Sequence, residues 1–338
     1  MAKHAARQIP IAVIGGETLL GKEIRELLDS TGFTGDVRLF SAENEPARIL
    51  ASQRGEPAVM PPLENADLRS IRLLFLAGPP EASPMSLEVV QRISPAPVII
   101  DASGGLEEHP AARLRAPMAE SEPGDVAAPI QMIAHPAAIA LALFLKKLQR
   151  SSAIRRSVVV IFEPASEQGQ PGLDELQQQT LSLLSFRKLA KDVYDAQVSF
   201  NLLPQYGSDA PKSLESIEGK IDRHLASLLA HGELVPMPSL RLIQAPVFHG
   251  YSFSLWVEFE NDPVVDRVAE GLASAQIEVR SSGEEAPNNA AAAGQNGITV
   301  GSIALDRNNP RACWFWMVAD NLRIAAENAV EVAREIAK

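Results

Sequence analysis

The feature that most constrains this chain is its opening β-α-β pattern. Ile9-Pro10-Ile11-Ala12-Val13-Ile14 is a short apolar run with β-branched residues, which reads as a buried strand. Gly15-Gly16 breaks it, and Leu20, Ile24, Leu27 and Leu28 recur at helical spacing among Lys22, Glu23, Arg25 and Glu26. Val37-Arg38-Leu39-Phe40 follows as a second strand. Adjacent parallel strands need a crossover, and a helix supplies it, so the pattern implies a parallel sheet. Two more strands, Leu73-Leu74-Phe75-Leu76-Ala77 and Val98-Ile99-Ile100-Asp101, end in Gly78-Pro79-Pro80 and Ser103-Gly104-Gly105. Small residues there suit an open sheet with a ligand crevice at its carboxyl ends.

The character changes after about residue 130. The periodicity predicts helices over 136–148, 172–184 and 214–229, and a strand over 157–162. Residues 251–260 alternate Phe253, Leu255, Val257 and Phe259 with Ser252, Ser254, Trp256 and Glu258, the pattern of a half-buried antiparallel strand. Residues 284–297, rich in Ala, Asn and Gly, read as a loose loop. A strand over 313–318 and a helix over 321–337 close the chain. At 338 residues the chain exceeds what one core usually organises. The expected class is α/β: a Rossmann-type parallel-sheet domain (1–133 plus 320–338) and a second α+β domain with a mixed or antiparallel sheet (134–319).

A net charge of −11 argues against nucleic acid or an anionic membrane surface as partner. The single cysteine, Cys313, excludes an intrachain disulfide and a cysteine zinc site. No apolar run reaches the roughly 20 residues that span a bilayer, and the expected location is the cytoplasm.

Gly15-Gly16-Glu17-Thr18-Leu19-Leu20-Gly21 lies between a strand and a helix, where a dinucleotide pyrophosphate would rest on the helix N-terminus. Thr18 takes the place of a middle glycine, and its Cβ is expected to restrict the turn. A plain βα turn that binds nothing is the competing reading. After the second strand, Ser41-Ala42-Glu43-Asn44-Glu45 carries two carboxylates and no arginine. A 2′-phosphate requires a cation at this place and a free ribose hydroxyl accepts an acid. If a nucleotide binds, NAD is favoured over NADP; a merely solvated acidic loop is the alternative.

Several segments, taken together and in order, resemble the aspartate-semialdehyde dehydrogenase family from about residue 9 to the end. They are the 15–21 loop, Val98-Ile99-Ile100-Asp101 with Ser103, Ile133-Ala134-His135-Pro136, and Gln168-Gly169-Gln170-Pro171-Gly172. Phe200-Asn201-Leu202-Leu203-Pro204-Gln205, Ala245-Pro246-Val247-Phe248-His249-Gly250 and Ala319-Asp320-Asn321-Leu322-Arg323 complete the set. The resemblance implies a homodimer and a reaction in which a cysteine attacks an aldehyde, a histidine moves protons, NADP takes hydride and phosphate releases the acyl group. It also implies a cofactor set of Gly15, Glu17, Thr18, Leu19, Leu20, Gly21, Ser41, Gly78 and Asn321.

The departures fall on the chemistry. The nucleophile position is Ala138, the substrate arginine is Gln244, the base is Tyr251, and the glutamine beside the nucleophile is Glu163. An arginine expected to meet phosphate falls near Glu107. Lys220 stands near a phosphate-site lysine, and the residues for a 2′-phosphate correspond to Ser41 and Asn44. Loss of an acid–base group alone costs about 10²–10⁴-fold, and loss of the nucleophile abolishes the covalent route. The implied protein is a degenerate, Usg-type homologue with no intact catalytic set. An oxidoreductase with another substrate or route, and an NAD-binding module without turnover, remain the alternatives. His135 and His249 read as a helix-start and a surface histidine, Cys313 as a buried structural thiol, and Asp320 and Asn321 as helix caps or groups near a nicotinamide.

Overall fold

The computed structural model describes residues 9–31, 37–42, 48–51, 57–63, 67–121, 124–232 and 234–338. The chain divides into two compact units, Met1–Ala134 with Ala325–Lys338, and His135–Ile324.

The first unit runs β1 (Ile11–Ile14), α1 (Leu19–Ser30), β2 (Val37–Phe40), β3 (Arg48–Ala51), β4 (Pro57–Met60), β5 (Leu73–Leu76), α2 (Ser83–Gln91), β6 (Val98–Asp101), β7 (Ala112–Arg115) and β8 (Ile130–Ile133). Six of these strands form a parallel sheet in the order β2-β1-β5-β6-β8-β7, while β3 and β4 pair antiparallel. β1 is fully buried, as a strand flanked on both sides must be, and this explains its unbroken apolar sequence. Ile14 pairs with both Phe40 and Leu76, so β1, β2 and β5 end together. The strand order reverses here, β2 lying on one side of β1 and β5 on the other. Such a switch point is where an open sheet holds ligands.

β7 escaped sequence reading because its Ala-Arg-Leu-Arg has no apolar run. Arg115, at its end, is 1% exposed and is held by Gln131 (2.8 Å), Glu120 (3.1 Å) and Glu335. Three acceptors around one guanidinium satisfy a charge that burial alone would expel.

The second unit contains α3 (Pro136–Ser151), β9 (Ile154–Glu163), α4 (Gly169–Leu184), α5 (Leu214–Leu229), β10 (Ser239–Gln244), β11 (Tyr251–Phe259), α6 (Val265–Leu272), β12 (Ile277–Val279), α7 (Asn289–Ala292), β13 (Ile298–Leu305) and β14 (Ala312–Ala319). The last helix, α8 (Asn321–Ala337), begins in this unit and ends in the first. The sheet order is β10-β9-β11-β14-β13-β12, antiparallel at its centre with a parallel pair at each edge. A parallel sheet and a separate mixed sheet, each with helices, are the α/β class expected from the sequence.

α3 packs against α5 and α6. Its Ala137, Ala138, Ala140 and Ala142 are all 0% exposed, because small side chains let neighbouring elements approach closely. Two local expectations change. Residues 284–297 are not a loose loop: Asn288 caps α7 by accepting from Ala291 N, and Asn289 bonds Ser252 and the Gly250 carbonyl. The polar face of β11 is not open to solvent throughout either. Ser252 and Glu258 are buried, the first against Asn289 and the second among Arg155, Arg156 and Arg311.

Candidate functional site

Two clusters carry the residues singled out in the sequence, one in each unit. The first lies where β1, β2 and β5 end. Gly15 has φ +84, and a Cβ there would stand 2.4 Å from the Gly78 backbone nitrogen, so the segments leaving β1 and β5 approach as only glycine allows. A Cβ on Gly21 would stand 2.1 Å from the Gly15 carbonyl. Thr18, however, does not strain the turn. Its φ of −70 is ordinary, and it serves as the N-cap of α1, accepting from Gly21 N at 2.9 Å. Its hydroxyl faces the carbonyls of Gly15 (2.9 Å) and Ala77 (2.7 Å), which pins the loop to the end of β5. The restriction expected of its Cβ is absent because the positive φ falls on Gly15 alone.

Glu17 turns toward the end of β2. Its Oε1 accepts from Ser41 Oγ at 2.9 Å and from Ala42 N at 3.1 Å, and its Oε2 is buried with no hydrogen-bond partner. Ser41 is 2% exposed. Leu19 and Leu20 form the first turn of α1. The structure thus gathers Gly15, Glu17, Thr18, Leu19, Leu20, Gly21, Ser41 and Gly78. Glu43 and Asn44 lie outside the described residues. These groups do not fit a 2′-phosphorylated dinucleotide, because a carboxylate already holds the donors at the end of β2. They fit a dinucleotide with an unmodified ribose, whose hydroxyls would find a glycine turn and an unpartnered carboxylate oxygen.

The second cluster lies wholly in the other unit. His135 caps α3, its Nδ1 accepting from Ala137 N at 3.3 Å, while its own N–H donates to His224 Nδ1 at 2.9 Å. Burial, with the charges of Lys220 and His224, holds its pKa well below the usual value. A neutral imidazole accepting at Nδ1 carries its proton on Nε2, which faces Glu167 Oε1 at 3.3 Å. Glu167 Oε2 accepts from Asn321 Nδ2 at 3.0 Å. Asn321 Oδ1 in turn accepts from Ser166 Oγ (3.0 Å) and Gly250 N (3.3 Å). Asp320 supplies the cap of α8, accepting from Leu322 and Arg323 N–H groups.

Glu163, at the end of β9, is 0% exposed. Its Oε1 meets Gln168 Nε2 at 3.0 Å and Tyr206 Oη at 3.2 Å. Burial, and then the charge of Glu167, push its carboxyl up to about 8. Burial raises Glu167 too, so both carboxyls favour the protonated form more than an exposed carboxyl does. Gln244 is fully committed: its Oε1 accepts from Tyr206 Oη at 2.6 Å, and its Nε2 donates to the carbonyls of Glu163 (2.9 Å) and Ala245 (3.0 Å). A phenol has one proton. With that proton given to Gln244, the contact between Tyr206 and Glu163 is satisfied when the carboxyl is protonated and donates.

Tyr251 is 1% exposed, its ring 6.2 Å from that of His135. Burial and the nearby charges of Glu167 and Glu163 push its phenol well above 10, the opposite of the shift a general base would need. Cys313 is 0% exposed, and burial raises its thiol to about 11, which disfavours the nucleophilic thiolate. His249 is half-buried. Glu167, Tyr206, Ser166 and His224 were not singled out from the sequence; Glu167, four residues after Glu163, carried the one available signal. Among the described residues, no group of three or more His, Cys, Asp or Glu could hold a metal ion. No described helix is long and apolar enough to cross a membrane.

A switch-point parallel sheet in one unit and a six-stranded mixed sheet in the other make this a two-unit α/β protein. Residues 145–324 match the family described as semialdehyde dehydrogenase, dimerisation domain. The chain is 28% identical to an aspartate-semialdehyde dehydrogenase of Rickettsia bellii, covering 97% of each chain. It is 29% identical to a USG-1 protein homolog of Pseudomonas aeruginosa, covering 96% of each. A solved structure described as a probable aspartate-semialdehyde dehydrogenase from Pseudomonas aeruginosa superposes with a TM-score of 0.84 at 27% identity, over 98% of this chain and 99% of that one. The chain belongs to the aspartate-semialdehyde dehydrogenase family.

Proposed function

We propose that this chain is a non-catalytic member of its family, a cytoplasmic homodimer whose second unit keeps the fold and has lost the thiol chemistry. The observation that carries this reading is Ala138. It is 0% exposed on α3, and a methyl group forms no adduct with an aldehyde. The surrounding groups support it. His135, Glu163, Glu167, Gln244 and Tyr206 are engaged with one another or with backbone, and Ser166 gives its hydroxyl proton to Asn321. That leaves acid–base groups without an activated nucleophile. Homodimerisation is supported by the match to a dimerisation domain.

The test is turnover of aspartate semialdehyde with phosphate and either NAD or NADP. The purified protein is expected to stay at background, and the triple variant Ala138→Cys, Gln244→Arg, Tyr251→His is expected to regain little, because Gln244 and Tyr251 are built into a buried network. Sustained acyl-phosphate formation by the unaltered protein, or a hemithioacetal trapped on Cys313, would overturn the reading. Sedimentation analysis should show a dimer.

A further inference from the structure

In a dinucleotide-binding sheet, the group at the carboxyl end of the second strand reads the adenosine ribose. An acid there accepts ribose hydroxyls, and a cation meets a 2′-phosphate. In this chain that place is governed by a residue from another element. Ser41 and Ala42 directly follow β2, and they donate their hydroxyl and N–H to Glu17 Oε1 at 2.9 and 3.1 Å. These are the kind of donors a phosphate oxygen would require. Ala42 also packs on the glycine approach, since a Cβ on Gly78 would stand 2.4 Å from Ala42 Cβ. Glu17 therefore sits at the switch point of β1, β2 and β5, fixed by two bonds rather than swinging in solvent.

Its second oxygen is the other half of the observation. Glu17 Oε2 is buried and has no hydrogen-bond partner. A buried acceptor left without a donor is costly, and such a group in a folded protein calls for an explanation. A sugar hydroxyl is a neutral donor that satisfies a carboxylate oxygen. A phosphate has no proton to spare and repels the charge.

We propose that Glu17 is the specificity-determining residue of a dinucleotide site at this switch point, accepting the free ribose hydroxyls of the NAD class and excluding any 2′-phosphate. From the sequence this preference was expected of Glu43 and Asn44, which lie outside the described residues; Glu17 reaches the same strand end from the glycine loop. The proposal does not rest on the non-catalytic reading, because nucleotide affinity is measured without turnover.

Titration calorimetry of the full chain with NAD and with NADP tests it. The expected result is a preference for NAD on the order of 100-fold, the scale of a like-charge juxtaposition. Glu17→Gln removes the charge and Glu17→Ala also frees the two donors, so both should lower the ratio, Ala more than Gln. Thermal melts of the two variants establish that they are folded, and the wild-type ratio is a test that needs no variant. Absence of heat with NAD up to its solubility limit would overturn the proposal. So would a wild-type preference of less than about tenfold, one decade of affinity, or a ratio that folded variants leave unchanged. Failure here would leave background turnover, and with it the non-catalytic reading, untouched.

Discussion

The glycine loop of the first unit and the carboxyl cluster of the second are built by different means. The loop is defined by backbone: a positive φ at Gly15, the close approach of Gly78, and the N-cap at Thr18. The cluster is defined by side chains: His135, Glu163, Glu167, Tyr206 and Gln244 bond one another or nearby backbone. Backbone geometry tolerates changes in the side chains around it, so a loop can keep its shape while its ligand preference shifts. Chemistry resides in single heteroatoms, so a single exchange can remove it without disturbing the packing around it.

If the loop is a backbone device, the largest effect should come from disturbing its backbone. Gly15→Ala forces a Cβ against the Gly78 nitrogen at positive φ and is expected to cost about 3 kcal/mol or more. Urea unfolding measures it; a midpoint equal to wild type would mean that the loop relaxes freely and the contrast fails. Gln244→Leu is the matching experiment in the cluster. It strips the acceptor from Tyr206 and a donor from the carbonyls of Glu163 and Ala245, the first of which keeps Ala245 N–H, with an expected loss of about 2 kcal/mol. A near-neutral change would show that water or a rotated Tyr206 replaces the amide.

The third effect lies in the pH dependence of stability. The Glu163 carboxyl lies at about 8 in the folded chain, above its ordinary 4.5. The protonated form is thus the one favoured by folding. Its contribution is complete below about pH 4.5 and is lost as pH rises through about 8, because the native state holds a proton that the unfolded state has released. Glu163→Gln has no proton to lose. Between about pH 5 and 8, wild-type stability should fall steadily relative to this variant as pH rises. Parallel stability–pH curves for the two proteins would place the proton elsewhere.

Much of the fold was legible because local periodicity and caps are local facts. The predicted helices over 214–229 and 321–337 coincide with α5 and α8, each a regular apolar pattern opened by a residue that caps the helix, Ser213 and Asp320. The expected strands of β1, β2 and β6 were equally plain. β10, β12 and β13 went unread: β12 is three residues long, and the pairing of β13 with β14 shifts register between Gly301 and Ala304, so neither offers a long regular pattern. In the site, Ala138 was readable because a missing heteroatom needs no geometry. Glu167 was not, since its contacts come from His135, the N-cap of α3, and Asn321 on α8, far apart along the chain.

Residue order alone settled the α/β class, the family, and the absence of a thiol on α3, because each depends on which residues occur and at what spacing. Only folding decided that Glu17 would take the donors at the end of β2, that Thr18 would cap rather than strain its turn, and that burial would raise the carboxyls of Glu163 and Glu167. Those outcomes depend on burial and on angles between groups distant in sequence, and hydrogen-bond energies are set by such distances rather than by composition.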